Sequence, residues 1–380
     1  MYKRAAILSL LCMVSAIIIV FILVFISTGV GSLQKSNFKR NFINKTPMLI
    51  YHSEKIPGLR AICGTEGNHF YFEADTVGSI IETDSTLSNK RLIRFEIPAR
   101  KTFASLFTTF VDSSYCFIMA GNLPGIIRFS LKDSSYQLFH FPGNLFSEAV
   151  AGANGNFILR VYQKSNGKWD QVFTRWNPVK NALITNENVT KKDGDAGFST
   201  DGMLSFDKSI SRILYVPYYR NDFFCMDTLL NVLYKEPTIY TPPITPSIKV
   251  LQETSRYSKT ITNGSPLHEV NLKSKALNNR LYIQSGICAD NESIREFSDN
   301  AVLDVYQISD GYYLGSYYIP KYNKERLKDF EVTGNKIVAL YKNYIVTYSM
   351  PPIFKTFSDQ DLSLITIISR SLTFSTNCRP

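Results

Sequence analysis

Histidine, cysteine and tryptophan are scarce in this chain of 380 residues, which contains 4 His, 6 Cys and 2 Trp. The histidines are far apart and form no His-x-His or His-x-x-x-His pair, which excludes the usual histidine-based metal motifs. The cysteines beyond the first 27 residues are odd in number and have no short repeated spacing, which excludes a disulfide-dense secreted scaffold. We therefore expect isolated, buried thiols and no metal site.

Catalytic and nucleotide-binding signatures are also missing. The chain has no Gly-x-Ser-x-Gly element of the kind that presents a nucleophilic serine, and no glycine-rich loop suited to phosphate. The loop from Asp193 to Gly197 has alternating carboxylates, as a calcium loop does, but Leu204 stands where such a loop needs its last carboxylate. We interpret this loop as an acidic turn, and we expect no cofactor and no catalytic residue.

Acidic residues are absent from the first 45 positions, where six basic residues surround an apolar segment. The 22 residues from Ala5 to Ile26 carry no charge. As a helix they would extend about 33 Å, enough to cross a hydrocarbon core of about 30 Å. We predict an uncleaved transmembrane anchor over residues 1–27. A cleaved signal segment is the alternative, because Gly29 and Gly31 are small residues where a signal peptidase would cut.

Basic residues flank both ends of the apolar segment, so the positive-inside rule does not fix its orientation. We expect a short cytoplasmic tail, a basic stalk over residues 28–47 and a periplasmic or otherwise extracytoplasmic body. This expectation follows from the usual role of a lone N-terminal anchor before a β-rich domain, which is export. The alternative is an intracellular scaffold.

Helical periodicity is nearly absent after residue 47, where short apolar segments alternate with turn residues. A turn followed by a strongly apolar strand recurs six times, at intervals of 46, 42, 56, 67 and 56 residues. One short strand precedes each turn and, in most repeats, two follow the apolar strand, which gives about four strands per repeat. The turns start at Gly67, Ser113, Gly155, Ser211, Asn278 and Gly334.

The two ends of this pattern complement each other. The sixth repeat lacks its fourth strand, because Pro351 and Pro352 end the regular pattern, and an unassigned strand from Met48 to Pro57 precedes the first repeat. We predict an all-β, six-bladed β-propeller over residues 48–350, with the N-terminal strand closing the last blade and a C-terminal tail over residues 351–380. A two-sheet sandwich is the alternative, but it needs only about seven to ten strands.

The segments from Asp201 to Lys208 and from Ile213 to Asp227 are the most characteristic part of the chain. They resemble the six-bladed propeller proteins with an N-terminal hydrophobic segment that are common in Bacteroidetes envelopes and are mostly uncharacterised. The resemblance covers about residues 48–350. It implies a fold and an envelope location, and it carries no catalytic signature.

Ligands of a propeller are expected where the innermost strands meet the central channel, because the ring brings six loops to one funnel. A funnel lined by polar side chains suits a small polar ligand or an ion, and the alternative is a solvated channel mouth that binds no ligand. The candidate ligand-binding residues begin or flank the predicted first strands and are Arg60, Ser105, Glu148, Asp201, His268 and Asp329.

We expect a membrane-anchored binding or scaffold module for a protein, peptide or glycan partner. The alternative is a propeller-fold enzyme of the glycan lyase, lactonase or glycosidase type that uses residues of the channel mouth. The proline-rich insertion from Pro237 to Pro246 is either a partner-binding arm or a passive loop.

The formal net charge of +10 is unevenly distributed. Residues 1–45 hold six basic side chains, whereas the remaining 335 residues hold 36 basic and 32 acidic ones. A body so close to neutral lacks the charge pattern of a nucleic-acid-binding protein. We expect lipid headgroups to be the partner of the N-terminal charges.

Overall fold

The computed structural model describes residues 7, 11–20, 37–44, 48–76, 78–97, 107–120, 125–240, 246, 250–254, 259–263 and 268–353. Among these residues, six four-stranded antiparallel sheets form the blades of a β-propeller, which confirms the predicted fold class. Blade 1 contains β2 (Leu59–Glu66), β3 (His69–Ala74), β4 (Ser79–Asp84) and β5 (Lys90–Arg94). Blade 2 contains β6 (Thr108–Asp112), β7 (Tyr115–Ala120), β8 (Gly125–Ser130) and β9 (Tyr136–His140).

The next three blades follow the same order. Blade 3 contains β10 (Phe146–Ala151), β11 (Phe157–Ser165), β12 (Lys168–Asn177) and β13 (Ala182–Asn186). Blade 4 contains β14 (Gly202–Asp207), β15 (Arg212–Pro217), β16 (Asp222–Met226) and β17 (Val232–Pro237). Blade 5 contains β20 (Asn271–Leu277), β21 (Arg280–Ser285), β22 (Asn300–Gln307) and β23 (Tyr313–Pro320).

Blade 6 combines both ends of the propeller. Its strands β24 (Asp329–Thr333), β25 (Lys336–Leu340) and β26 (Tyr344–Ser349) are completed by β1 (Ile50–Lys55), which pairs antiparallel with β26. Hydrogen bonds extend this pairing at both ends: Ile56 N–H donates to the Asn343 carbonyl, and Ser349 N–H donates to the Leu49 carbonyl. The N-terminal strand therefore closes the last blade, as predicted.

The recurring turn begins with a residue of positive φ in all six blades. At each predicted turn start, φ is positive, as a tight hairpin between two twisted strands requires. Glycine and asparagine adopt this region at low steric cost, which explains why they occupy four of the six positions. The angles are 56° at Gly67, 50° at Ser113, 70° at Gly155, 54° at Ser211, 50° at Asn278 and 55° at Gly334.

The hydrophobic core is divided among the six interfaces between neighbouring blades. Between blades 1 and 2, Cys63 and Cys116 belong to one buried cluster, and between blades 6 and 1, Leu59 packs in another with Val338. Cys225 is buried between blades 4 and 5. No disulfide joins the cysteines that the structure describes, so these buried residues are free thiols, as expected.

Residues 37–44 lie along the outer edge of blade 5. Phe42 forms a parallel bridge with Ser316 of β23, and its ring stacks on Tyr318 at a centroid distance of 4.1 Å. The Arg40 side chain is fully buried, where its Nε donates to Asp304 Oδ1 at 2.8 Å and its other end pairs with Glu292. Counting Arg40 among the charges that face lipid headgroups is therefore wrong, because buried carboxylates neutralise it.

The predicted anchor falls largely outside the described residues. Residues 11–20 are helical and exposed. Within the part of the chain that the structure describes, no helix has both the length and the apolarity that a membrane crossing requires. The transmembrane anchor and the envelope location therefore stay predictions.

Two further elements lie outside the six four-stranded sheets. A hairpin of β18 (Val250–Thr254) and β19 (Lys259–Asn263) lies in the polar stretch after the proline-rich insertion. A short helix, Ile294–Asp299, lies between β21 and β22 and begins with a capping box, in which Ser293 and Glu296 exchange side-chain and backbone hydrogen bonds. This helix forms part of the surface around the ends of blade 5.

Candidate functional site

The first strands of neighbouring blades lie side by side around the central axis. The loops that enter these strands come together at one face of the ring, which we call the upper face. Five of the six candidate ligand-binding residues are described there, and they fall into separate places around the ring. Ser105 lies outside the described residues.

Asp329 is a structural residue that joins blade 6 to blade 1. It is buried, its Oδ2 accepts the Ile62 N–H at 2.9 Å, and its Oδ1 accepts the Phe330 N–H at 3.0 Å. Lys328 adds a second link, since its Nζ donates to the Leu59 carbonyl at 2.7 Å. Because both oxygens of Asp329 are engaged by backbone, this residue has little capacity left for a ligand.

Arg60 is exposed, and its guanidinium lies over the Phe107 ring at 5.2 Å from the centroid. Its charge acts on Glu73, which is buried and accepts a hydrogen bond from the Thr109 hydroxyl at 2.9 Å. Burial raises the pKa of Glu73, and the Thr109 hydrogen bond and the charge of Arg60 only partly oppose this effect. The contacts of Arg60 are therefore with blades 1 and 2, and this residue lies apart from the other candidates.

Glu148 and Asp201 are brought together where blade 3 meets blade 4. Glu148 points from β10 to β14, and its Oε1 accepts the Leu204 N–H at 2.8 Å. Its Oε2 is buried and has no hydrogen-bond partner among the described residues. Burial raises the pKa of Glu148 to about 7; the Leu204 N–H and Arg160 oppose the rise, and the negative charge of Asp201 adds to it.

Arg160 contacts this pair and was not among the candidate residues predicted from the sequence. Its side chain is fully buried, and its Nη1 lies 2.7 Å from Asp201 Oδ1. Its Nη2 donates to Thr200 Oγ1 at 2.9 Å, and the guanidinium lies over the Tyr215 ring at 5.0 Å from the centroid. The sequence does indicate a buried ion pair here, because an arginine inside the otherwise apolar run Phe157–Val161 must find a buried partner.

Asp201 is the more accessible carboxylate, with 39% of its side chain exposed. Burial raises its pKa, and Arg160 opposes that rise through its charge and its hydrogen bond. Arg160 therefore fixes the position of the carboxylate while leaving part of it open to solvent. A partner could reach Asp201 from the upper face without displacing Arg160.

Two tyrosines border the carboxylates. Burial raises the pKa of Tyr162 and of Tyr218, and the negative charge of Asp201 adds to both shifts. Neither phenol makes a hydrogen bond with a described residue, although the side chains are only partly exposed. We call Glu148, Arg160, Tyr162, Asp201 and Tyr218 the mouth cluster, because together they present acceptors, hydroxyls and aromatic faces at the upper face.

His268 lies elsewhere on the upper face, in a cleft between blades 5 and 6. It is exposed. In the described part of the chain, no group of three or more His, Cys, Asp or Glu residues is arranged to hold a metal ion. The acidic loop uses its central carboxylate for its own turn, because Asp195 accepts the N–H groups of Gly197 and Ser199 at 2.9 and 2.8 Å.

No protein-family model matches the chain, and no curated protein matches it. Several solved structures are similar in fold. A member of the DUF4221 family from Bacteroides vulgatus is 13% identical with a TM-score of 0.49, over 82% of this chain and 98% of that one. Streptogramin B lyase is 10% identical with a TM-score of 0.45, over 81% of this chain and 100% of that one.

A third similar structure is the extracellular domain of a putative hybrid two-component system from B. thetaiotaomicron. It is 11% identical with a TM-score of 0.42, over 79% of this chain and 35% of that one. At these identities the likeness concerns the fold alone. The function must therefore be argued from the site.

Proposed function

We propose that this chain is a membrane-anchored, extracytoplasmic binding module whose mouth cluster recruits a protein, peptide or glycan partner. The anchor part of the proposal rests on the uncharged run from Ala5 to Ile26. The binding part rests on the upper face, where the ring presents polar side chains on rigid strands. Such rigid presentation lowers the entropy that must be lost on binding.

One observation carries the binding proposal: Glu148 Oε2 is buried without a hydrogen-bond partner among the described residues. A buried acceptor left unsatisfied costs about 1–3 kcal/mol. An N–H or O–H group of a partner would remove this cost. Asp201 and the two phenols would then add further hydrogen bonds to the same partner.

The chemistry of the mouth cluster favours a donor-rich partner with little net charge. Arg160 offsets the charge of Asp201, and a carboxyl group with a pKa of about 7 is only partly ionised near neutral pH. Hydroxyl and amide groups suit these acceptors, and the aromatic faces of Tyr162 and Tyr218 suit apolar surfaces. Sugars and peptide segments offer both kinds of group.

The test is a pull-down of the full chain from detergent-solubilised membranes of the producing cell, with identification of captured proteins and glycans. Glu148→Gln is the informative variant, because the amide keeps an acceptor for the Leu204 N–H and replaces the free oxygen with a donor. We expect Glu148→Gln to reduce capture of the specific partner at least tenfold. Glu66→Gln is the matched control, since Glu66 ends β2 at the opposite face of the ring.

Equal capture by Glu148→Gln and by the unmodified chain would contradict a binding role of the mouth cluster. A partner lost equally in both variants would point to a general folding defect. Circular dichroism and thermal unfolding of both variants separate these outcomes.

A second candidate function is acid–base catalysis at the same site, favoured by the pKa of about 7 at Glu148 beside a second carboxylate. An enzyme of the glycan lyase, lactonase or glycosidase type needs such a proton-transferring group. If captured glycans or lactones are cleaved, the rate of cleavage should depend on a group with a pKa near 7. The Glu148→Gln variant should then show no turnover, whereas the Glu66→Gln variant should remain active.

A further inference from the structure

A separate cleft of about 460 Å³ lies at the upper face between blades 5 and 6. Its floor continues the core between these blades, because Ala301 and Leu327 line the cleft and also pack against that core. One wall is formed by the helix Ile294–Asp299 through Phe297. The volume lies within the range of small-molecule sites in proteins.

The inner end of the cleft contains an unpartnered polar group. Gln284 on β21 is buried, with 7% of its surface exposed, and it lines the cleft. Its side-chain amide makes no hydrogen bond with any residue that the structure describes. Because an amide offers two donors and an acceptor with two lone pairs, Gln284 can serve a ligand that has both donors and acceptors.

Unpaired charges of both signs line the same cleft. Arg326 and Glu269 are exposed, and neither forms an ion pair or side-chain hydrogen bond with a described residue. Lys321 also lines the cleft, but its charge is already matched, since its Nζ lies 2.9 Å from Asp299 Oδ1. The charges left for a ligand are therefore the Arg326 guanidinium, which already interacts electrostatically with Asp299, and the Glu269 carboxylate, next to the apolar side chains of Leu272 and Phe297.

We infer that this cleft binds a zwitterion with an apolar substituent, of the class of α-amino acids and short peptides. The Arg326 guanidinium would pair with the ligand carboxylate, since its fork of donors matches that group. Glu269 would pair with the ammonium group, Gln284 would complete the hydrogen bonding, and Leu272 and Phe297 would contact the side chain. The inference goes beyond the proposed function and does not depend on the mouth cluster.

The test is titration calorimetry of the purified full chain with leucine, phenylalanine and alanyl-leucine. N-acetyl-leucine and leucine amide, each lacking one of the two charges, are measured in parallel. We expect the zwitterions to bind, and we expect blocking either charge to weaken binding at least tenfold.

Two variants assign the charges to residues. Arg326→Gln should weaken leucine binding at least tenfold, and Glu269→Gln should weaken leucine binding but leave N-acetyl-leucine unaffected. Arg295→Gln is the matched control, because Arg295 has 91% of its side chain exposed and does not line the cleft. Glu148→Gln should bind leucine normally, so failure of this inference and failure of the proposed function are distinguishable.

Three results would overturn the inference. The first is the absence of heat from every zwitterion at millimolar concentration. The second is equal affinity for leucine and leucine amide. The third is equal affinity of Arg326→Gln and Arg295→Gln for leucine.

Discussion

At the scale of single residues, two buried arginines hold distant parts of the chain together. Arg40 and Arg160 both have fully buried side chains, and each is neutralised by a carboxylate from a distant part of the chain. Removing one partner of such a pair leaves an uncompensated buried charge, which typically costs about 3–5 kcal/mol. Arg40 thereby fixes residues 37–44 on blade 5, and Arg160 fixes Asp201 at the mouth.

Glu148 gives a pH-dependent prediction at this scale. Burial raises its pKa in the folded state to about 7, from 4.5 in the unfolded chain. The folded state therefore retains a proton that the unfolded state releases, and the free energy of unfolding should fall as pH rises from about 4.5 to 7. The loss should amount to at most about 3 kcal/mol, at 1.36 kcal/mol per pKa unit.

Glu148→Gln removes the titrating group, so we expect the variant to be more stable than the unmodified chain at pH 8 and nearly equal to it at pH 4. Denaturant unfolding at a series of pH values measures this difference. Glu66→Gln provides the comparison for a substitution of the same type at the opposite face. Parallel stability curves for Glu148→Gln and the unmodified chain would show that Glu148 does not titrate in this range.

At the scale of elements, the strand β1 completes blade 6 and covers the edge of β26. It contributes two buried flanking residues, Met48 and Ile56, to the cores on either side of blade 6. Without β1, the strand β26 would expose unpaired N–H and C=O groups, which promote pairing between molecules.

Removal of residues 1–57 should therefore destabilise the propeller by at least about 3 kcal/mol relative to removal of residues 1–47. The shorter truncation is the matched control, because both variants lose the apolar segment and Arg40, and only the longer one loses β1. Thermal unfolding measures the difference in stability, and light scattering measures self-association. Similar melting temperatures and monomeric behaviour of both variants would contradict a closing role for β1.

The elements also show how far the sequence predicts the structure. The six turns at Gly67, Ser113, Gly155, Ser211, Asn278 and Gly334 were predicted where the structure has them, between the first and second strands of the blades, because a turn followed by an apolar strand is a local pattern. The position of residues 37–44 on blade 5 was not predicted, since Arg40 finds its partners more than 250 residues away in the chain. No local pattern encodes such a contact.

The site was predictable in part for the same reason. The start of a first strand is readable from the repeat, so Glu148 and Asp201 were predicted at the mouth. Whether two candidate residues contact each other depends on their distance around the ring, and the sequence does not show this distance. Asp329 also lies at the start of a first strand, yet both its oxygens are engaged by the Ile62 and Phe330 N–H groups.

At the scale of the whole molecule, charge separates the N-terminal region from the body. Residues 1–45 contain six basic and no acidic side chains, and the rest of the chain is close to neutral. The burial of Arg40 removes one of these six from any interaction with lipid headgroups. The remaining five flank the predicted anchor, three of them after it and two before it.

A fusion of alkaline phosphatase to the C-terminus tests the predicted orientation. Alkaline phosphatase is active only after export, so an extracytoplasmic body should give an active fusion in whole cells. A β-galactosidase fusion at the same position is the reciprocal control and should be inactive. The opposite pattern would place the body inside the cell and support an intracellular scaffold.

The closure of blade 6 by β1 also sets the order of events during synthesis. β1 ends at Lys55, and its partner β26 begins at Tyr344, so 289 residues must follow before the pair can form. At roughly 5–20 residues per second, β1 leaves the ribosome roughly 15–60 s before its partner. Over this interval β1 has no partner strand, whether the chain is exported while it is being made or released into the cytosol.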